Sequence, residues 1–475
     1  MLDAESCYRA ILARDSRFDG QFYTAVTSTG IFCRPVCPAR TPQRANCRFY
    51  CSAAAALEAG FRPCLRCRPE VSPDMPAWLG TSGTVMRAVR LIHEGALDDG
   101  NVERLAERTG VGERHLRRLF AEHLGASPIA VAQARRLFFA KRLLHDTQLP
   151  LTQVAMAAGF GSLRRFNDLF QRTYARAPGE LRKKAPVEVS SPPAVGIRLR
   201  LPFRPPYDWA GVARFLAHRA IPGVERATPD TYSRVILVEG EAGRVTVSAP
   251  ASGESALTAC IELPSVSGLR ATVERLHRMF DLRASPEAVA ARLSEWGVDG
   301  VRIPGAWDPF ELTVRAILGQ QVSVAAATTM AGRSVERWGR TAEGLSGDPS
   351  RLFPDAGVLA RVPVASIGLP AARARAIEEL ALEVAEGRLD FARLGTLDEA
   401  IRRLCSLRGI GEWTAQYVAM RALGEPDAFP SGDLVLRKAA GMTEDELEQF
   451  SERWRPWRAY AAFSLWQRWG ARQTR

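Results

Sequence analysis

The segment Leu407–Leu423, LRGIGEWTAQYVAMRAL, sets two glycines, Gly409 and Gly411, between stretches of helical character. A turn of this kind frees backbone N–H groups at a helix start, so a phosphate can be bound without side-chain charge. It is followed by EPDAFPSGDLVLRKAAG, in which Asp433 stands just ahead of the apolar-periodic LVLRKAA. Trp413 and Tyr417 are four apart and share one face of the helix after the turn. Such a pair is more often core packing, but directly behind a phosphate-binding turn a pocket wall is favoured. No histidine follows His277, so catalysis in this part falls to carboxylates, aromatics or backbone.

Outward from this segment, 475 residues suffice for about three domains, each with its own core. A content of 46% hydrophobic and 24% charged residues is that of a soluble protein, and no apolar run approaches the roughly 20 residues that span a membrane. The start, MLDAESCYRAILARDSRFDG, has acids and no apolar signal core, so a cytoplasmic protein without membrane contact is expected. Charge is uneven. Residues 1–184 hold 28 Lys and Arg against 17 Asp and Glu, whereas the remainder holds 36 against 35. The basic part is the candidate for phosphate contact. Proline-rich breaks near RPEVSPDMPAWLG and KKAPVEVSSPPAV divide the chain at about residues 76 and 190. After the second, YSRVILVEG and GRVTVSAPASGESALTACIEL alternate as strands of a small sheet; from Leu269 the pattern is helical.

Between the breaks lies an internal repeat. VERLAERTGVGERHLRRLFAEHLGASP and LTQVAMAAGFGSLRRFNDLFQRTYARAP align Gly110 with Gly159, Phe120 with Phe170 and Pro128 with Pro178. Each copy reads as helix, glycine turn and second helix, the plan that enters a major groove. Arg114, Arg117 and Arg118 in the first copy, and Arg164, Arg165 and Asn167 in the second, fall where side chains reach base edges or phosphates.

Six of the nine cysteines lie between Cys33 and Cys67. A reducing cytosol disfavours disulfides and leaves metal binding or reactive thiolates. Cys33 and Cys37, Cys47 and Cys51, and Cys64 and Cys67 are three close pairs for the four places of a tetrahedral zinc site. Spacing alone does not choose among them. The first histidine is His93, so the site is all-cysteine. A closed structural knuckle is one reading. Arg34, Arg40, Arg44, Arg48, Arg62, Arg66 and Arg68 favour another, in which DNA phosphates are drawn to a zinc-activated thiolate.

These residues carry three resemblances. Residues 1 to about 72, with TGIFCRPVCPAR and AALEAGFRPCLRCRPE, look like the amino-terminal domain of Ada adaptive-response proteins. The likeness implies zinc ligands Cys33, Cys37, Cys64 and Cys67, with Cys33 as irreversible acceptor of a methyl group from a DNA methylphosphotriester. Methylation would remove one negative charge from the centre and strengthen DNA binding. Residues 80–184 resemble the paired helix-turn-helix domain of AraC-type regulators, which implies promoter binding, activation and RNA polymerase as a partner. No Pro-Cys-His-Arg motif follows, so direct repair of O-methylguanine is not expected.

Residues 197–475 resemble helix-hairpin-helix glycosylases, nearest to AlkA-type 3-methyladenine DNA glycosylases, through DPFELTVRAILGQQVSVAAA, the hairpin and RPWRAYAAFSLWQRWG. The likeness implies Asp433 as catalytic carboxylate, Trp413, Tyr417 and Trp466 as base pocket, and DNA contact by Gly409, Gly411, Gln320 and Gln321. The best-known relatives carry leucine at the wedge position of Gln321. Trp413 stands where lyase-active relatives carry a Schiff-base lysine, so a monofunctional enzyme leaving an abasic site is expected. The superfamily hairpin can also hold Na+ or K+ through carbonyls, here Cys405, Leu407 and Gly409; no organic cofactor is expected.

The expected fold is multidomain α+β, mostly α. It has a small zinc-bound α/β sensor at 1–76, an all-α double helix-turn-helix at 80–184 and a linker at 185–195. A small antiparallel β/α subdomain at 196–268 then precedes an α-helical helix-hairpin-helix core at 269–475. Competing readings are a regulator whose last part only binds DNA, and a glycosylase with an inert zinc knuckle.

Overall fold

The computed structural model describes residues 3–72, 83–98, 100–182, 196–296 and 298–473; the expected linker 185–195 lies outside them. The protein is multidomain α+β and mostly helical. It divides into two compact units: Met1–Pro205 with Ala251–Glu274 and Leu282–Ser285, and Pro206–Pro250 with Arg275–Asp281 and Pro286–Arg475. Among the described residues no helix is long and apolar enough to cross a membrane.

The first unit opens with a small sheet. Strand Tyr23–Val26 pairs antiparallel with Ile31–Cys33 and with Cys47–Tyr50, and Ile31–Cys33 pairs in parallel with Arg62–Pro63. The apolar alternation that makes these strands buries Tyr23, Ala25 and Phe32 against the alanine helix Ala53–Glu58. The repeat follows as helices Val102–Arg108 and Glu113–Leu124, then Leu151–Ala157 and Leu163–Tyr174, joined by the 19-residue helix Pro128–Asp146. Gly110 (φ +74°) and Gly159 (φ +81°) make the two turns in the left-handed region that glycine tolerates. In each second helix one face is core: Leu116, Phe120 and Leu124, or Phe166, Phe170 and Tyr174. Arg114, Arg117, Arg118, Arg164, Arg165 and Asn167 are therefore exposed.

Two buried charge clusters fasten this unit. Lys141 Nζ and Glu70 Oε2 meet at 2.9 Å with both side chains out of solvent, which ties the tail after the last clustered cysteine to the long joining helix. Glu274 accepts from Arg135 at 2.6 Å, from both terminal nitrogens of Arg283, and faces His93 Nδ1 at 3.4 Å. Two guanidiniums already outweigh the one carboxylate. Burial, reinforced by Arg135, accordingly pushes His93 down from 6.5 to about 4, so it is neutral at pH 7.

In the second unit strand Thr231–Val238 pairs antiparallel with Glu225–Ala227 and with Glu241–Ser248. The other two strands of the expected subdomain, Ile197–Pro202 and Ala256–Glu262, pair antiparallel within the first unit. The helical core is arranged around Pro309–Leu318, whose residues are buried on nearly every side, packed by Val324–Trp338, Ala371–Ala385, Leu397–Cys405 and Glu412–Val418.

His93 must gain a proton on unfolding below pH 6.5, so its stabilising contribution is complete above that pH and is lost as pH falls toward 4. Hydrogen exchange in the helix Gly83–His93, corrected for the intrinsic rate, should show protection weakened by about 1–2 kcal/mol between pH 7 and pH 5. Protection that is flat or rises in that window contradicts the neutral, buried His93.

Candidate functional site: a cysteine cluster and a carboxylate between aromatic rings

The first site grows from the parallel pairing of two short strands. Ile31–Cys33 ends on Cys33, and a turn closed by Cys37 N–H on the Arg34 carbonyl (3.2 Å) brings Cys37 back beside it. Cys64 follows Arg62–Pro63 and donates its N–H to Phe32 O at 2.9 Å; Arg68 N–H on the Cys64 carbonyl (3.2 Å) closes a second turn around Cys67. The four sulfurs lie within 4.8 Å of one another. The third pair is elsewhere. Cys47 packs with Cys7 and Phe22 and points its thiol at the Gln43 carbonyl, while Cys51 lies against Gly125.

Four thiols this close compete for protons: Cys37 and Cys64 push Cys33 up, and Cys33 pushes Cys64 down. A divalent cation removes the conflict by making all four thiolates. Zn–S bonds of about 2.3 Å make a tetrahedron with edges of about 3.8 Å, which this cluster can supply. The four residues thus fit zinc. Cys64 and Cys67 are buried, whereas Cys33 and Cys37 are half-buried, so only the first pair is open to a large reactant. Arg34 braces the cluster by bonding Asp19 through Nε (2.8 Å) and the Cys67 carbonyl (3.2 Å), and its own N–H reaches Cys67 Sγ at 3.4 Å.

The second site is built on the glycine turn. Gly409 (φ +76°) is required twice over: its backbone is left-handed, and an added Cβ would sit 2.6 Å from that of Ala376. Gly411 caps the helix Glu412–Val418, which carries Trp413 and Tyr417 with their rings stacked at 5.4 Å and 7°. Trp466, on the helix Arg458–Gln473, meets Tyr417 at 6.2 Å and 63°. Asp433 caps the helix Leu434–Ala440 through Oδ1, which accepts from Val435 N and Leu436 N at 2.9 Å. The same oxygen accepts from Trp466 Nε1 at 3.0 Å, and Oδ2 accepts from Trp413 Nε1 at 2.8 Å. Two indoles expected only as pocket walls thus also hold the carboxylate.

Tyr417 is held as firmly. Burial acts to raise its hydroxyl, but Arg421 and Arg219 outweigh burial and hold it below its ordinary value. Arg421 donates to its oxygen at 2.7 Å. Sequence reasoning passed over both arginines. The spacing of four between Tyr417 and Arg421 was a visible signal; Arg219, about 200 residues earlier, left none.

Of the residues expected at DNA, Gln320 turns inward and donates from Nε2 to the Gly409 carbonyl (2.8 Å) and Thr414 Oγ1 (3.0 Å), bracing the hairpin. Gln321 is exposed with φ +58° and is followed by exposed Val322 and Val324. The Leu407 carbonyl accepts from Ile410 N at 3.2 Å.

Family models describe the metal binding domain of Ada over residues 6–70, a helix-turn-helix domain over 105–184 and the AlkA N-terminal domain over 198–308. The chain is 40% identical over 482 residues to the probable bifunctional transcriptional activator/DNA repair enzyme AlkA of Mycobacterium tuberculosis (strain H37Rv), covering 98% of this chain and 96% of that protein. It is 35% identical over 273 residues to DNA-3-methyladenine glycosylase 2 of Escherichia coli (strain K12), covering 56% and 95%. To the bifunctional transcriptional activator/DNA repair enzyme Ada of the same organism it is 42% identical over 129 residues, covering 27% and 35%. From its Ada-type metal-binding segment to its glycosylase region, the chain belongs to the family of the bifunctional transcriptional activator/DNA repair enzyme AlkA.

Proposed function

We propose that this chain answers DNA alkylation by two separate reactions: it excises alkylated purines, of the 3-methyladenine type, and it takes a methyl group from DNA methylphosphotriesters onto Cys33. The work is distributed over segments 1–76, 80–184, 196–268 and 269–475. The observation that carries the reading is the Asp433 carboxylate, fixed by two indole N–H groups beside a stack of aromatic rings.

A flipped purine alkylated on nitrogen carries a positive charge, which the faces of Trp413, Tyr417 and Trp466 attract. Its glycosidic bond breaks with the electron pair leaving to the base, so the base needs no proton from the protein. The positive charge then sits on the sugar, where the ionised Asp433 stabilises it until water adds and an abasic sugar remains. Position 413 holds an indole, and Lys438 is the single lysine after residue 184, which supports hydrolysis without a Schiff base. Gly409, Gly411 and Gln321 would meet the duplex; Na+ or K+ on the Cys405, Leu407 and Gly409 carbonyls would share Gly409 with Gln320.

In the other reaction Cys33 Sγ attacks the methyl carbon of the triester, the C–O bond breaks and the phosphodiester leaves with its electron pair. Zinc, when held by Cys33, Cys37, Cys64 and Cys67, supplies a thiolate at neutral pH. The thioether has no route back, so the step is stoichiometric. The exposed arginines of the paired helices would then read promoter DNA and bring RNA polymerase to it.

Asp433→Asn keeps the helix cap but removes the charge, and release of 3-methyladenine from methylated duplex should fall about 10²–10³-fold. An unchanged rate contradicts the role of Asp433. After incubation with methylphosphotriester DNA, the intact mass of wild type should rise by one methyl group, while Cys33→Ala gains none and still excises bases. A methylated Cys33→Ala protein overturns the acceptor assignment.

A further inference from the structure

Behind Tyr417 lies a buried cluster of charged groups that neither proposed reaction uses. Glu225 and Glu311 are each shared by the same two arginines. Arg234 reaches Glu311 at 2.8 Å and Glu225 at 3.4 Å, and Arg315 reaches Glu225 at 3.0 Å and Glu311 at 3.1 Å. Two positive and two negative charges close this square. Farther out, Asp308, which caps the helix Pro309–Leu318, and Arg275, over the Trp307 ring, offset one another.

Two guanidiniums in the same cavity remain, those of Arg219 and Arg421. Arg421 sits in the π-helical turn Ala419–Leu423, 6% exposed, and donates to the carbonyls of Pro304 (2.7 Å) and Gly305 (3.3 Å). Arg219 lies 3.8 Å over the Phe215 ring and bonds the Phe215 carbonyl. Among the described residues no carboxylate pairs with either. Arg421 donates to the Tyr417 oxygen at 2.7 Å, and the charge of Arg219 acts on the same group. Arg421 is buried and Arg219 half-buried; a buried cation bonded only to neutral oxygens is costly, and an anion between the two removes that cost.

We propose that Tyr417 is this counter-anion, ionised by release of its proton to solvent, and that its negatively charged ring selects purines carrying a full positive charge over neutral ones. The selection half rests on the proposed excision reaction; the ionisation half stands without it. The downward displacement of the Tyr417 hydroxyl agrees with the geometry. A neutral ring attracts a cation only through its quadrupole, whereas a phenolate adds a whole charge at contact distance. Asp433, across Trp413 and Trp466, is a like charge that opposes the ionisation, as does burial; Arg219, Arg421 and, behind them, Arg315 favour it.

The test is a pH titration of tyrosinate absorbance on the full chain, wild type minus Tyr417→Phe. The difference should isolate one tyrosine already ionised at neutral pH, below the ordinary value near 10. Arg421→Met should move it upward, and Arg421→Lys, which keeps the charge, should hold it lower. A Tyr417 component that is still protonated at neutral pH, where excision is assayed, overturns the ionisation. In parallel, the ratio of initial excision rates for 3-methyladenine over hypoxanthine should fall about tenfold in Tyr417→Phe. A low-titrating Tyr417 with an unchanged ratio overturns the selection. Wild type that excises neither base sinks the proposed reaction and the selection with it, and leaves the titration to decide the ionisation alone.

Discussion

The Asp433 carboxylate is held by four donors from three parts of the second unit: two backbone N–H groups of the helix it caps, the indole of Trp413 behind the glycine turn, and the indole of Trp466 near the carboxy terminus. All four donate, so the group serves as acceptor only and its position cannot change without breaking several bonds together. Much else in the unit follows from this constraint. The turn must be tight enough to aim Trp413, which Gly409 secures by its left-handed backbone and its approach to Ala376, and Gln320 locks it from the turn that follows the helix Pro309–Leu318. With both indole N–H groups committed to the carboxylate, the ring faces remain for a ligand.

The cysteine centre obeys a different constraint. Two of its ligands sit on a turn after Ile31–Cys33 and two on a turn after Arg62–Pro63, and the parallel pairing of those strands sets the distance between the turns. The same pairing buries the second pair more deeply than the first. The proposed methyl transfer would need such asymmetry, since a fully enclosed cluster could not meet a phosphate on DNA.

Sequence alone carried much of this, for identifiable reasons. The glycine turn, the cap position of Asp433 and the Trp413/Tyr417 face depend on residues within about thirty positions, so local pattern reveals them. The helix-turn-helix repeat was legible because the core positions recur in both copies. The cysteine pairs were not separable by spacing, because the choice depends on a strand pairing across a separation of about thirty residues. The Trp466 bond to Asp433 and the sharing of Glu225 and Glu311 by Arg234 and Arg315 are long-range, with no periodicity to announce them. Gln320 was placed at the duplex by likeness, and only packing shows its amide turned into the hairpin.

The two proposed chemistries differ in a way that a single incubation can separate. A thiolate that becomes a thioether acts once, whereas a carboxylate that stabilises a passing charge acts repeatedly. Wild-type protein in limiting amount, mixed with duplex DNA bearing radiolabelled methyl groups, should divide the label between a protein-bound fraction and free purine. The account predicts that the bound fraction saturates at one methyl per chain while free purine keeps accumulating to many equivalents. Purine release that stops at one equivalent, or protein label that climbs past one, would contradict it.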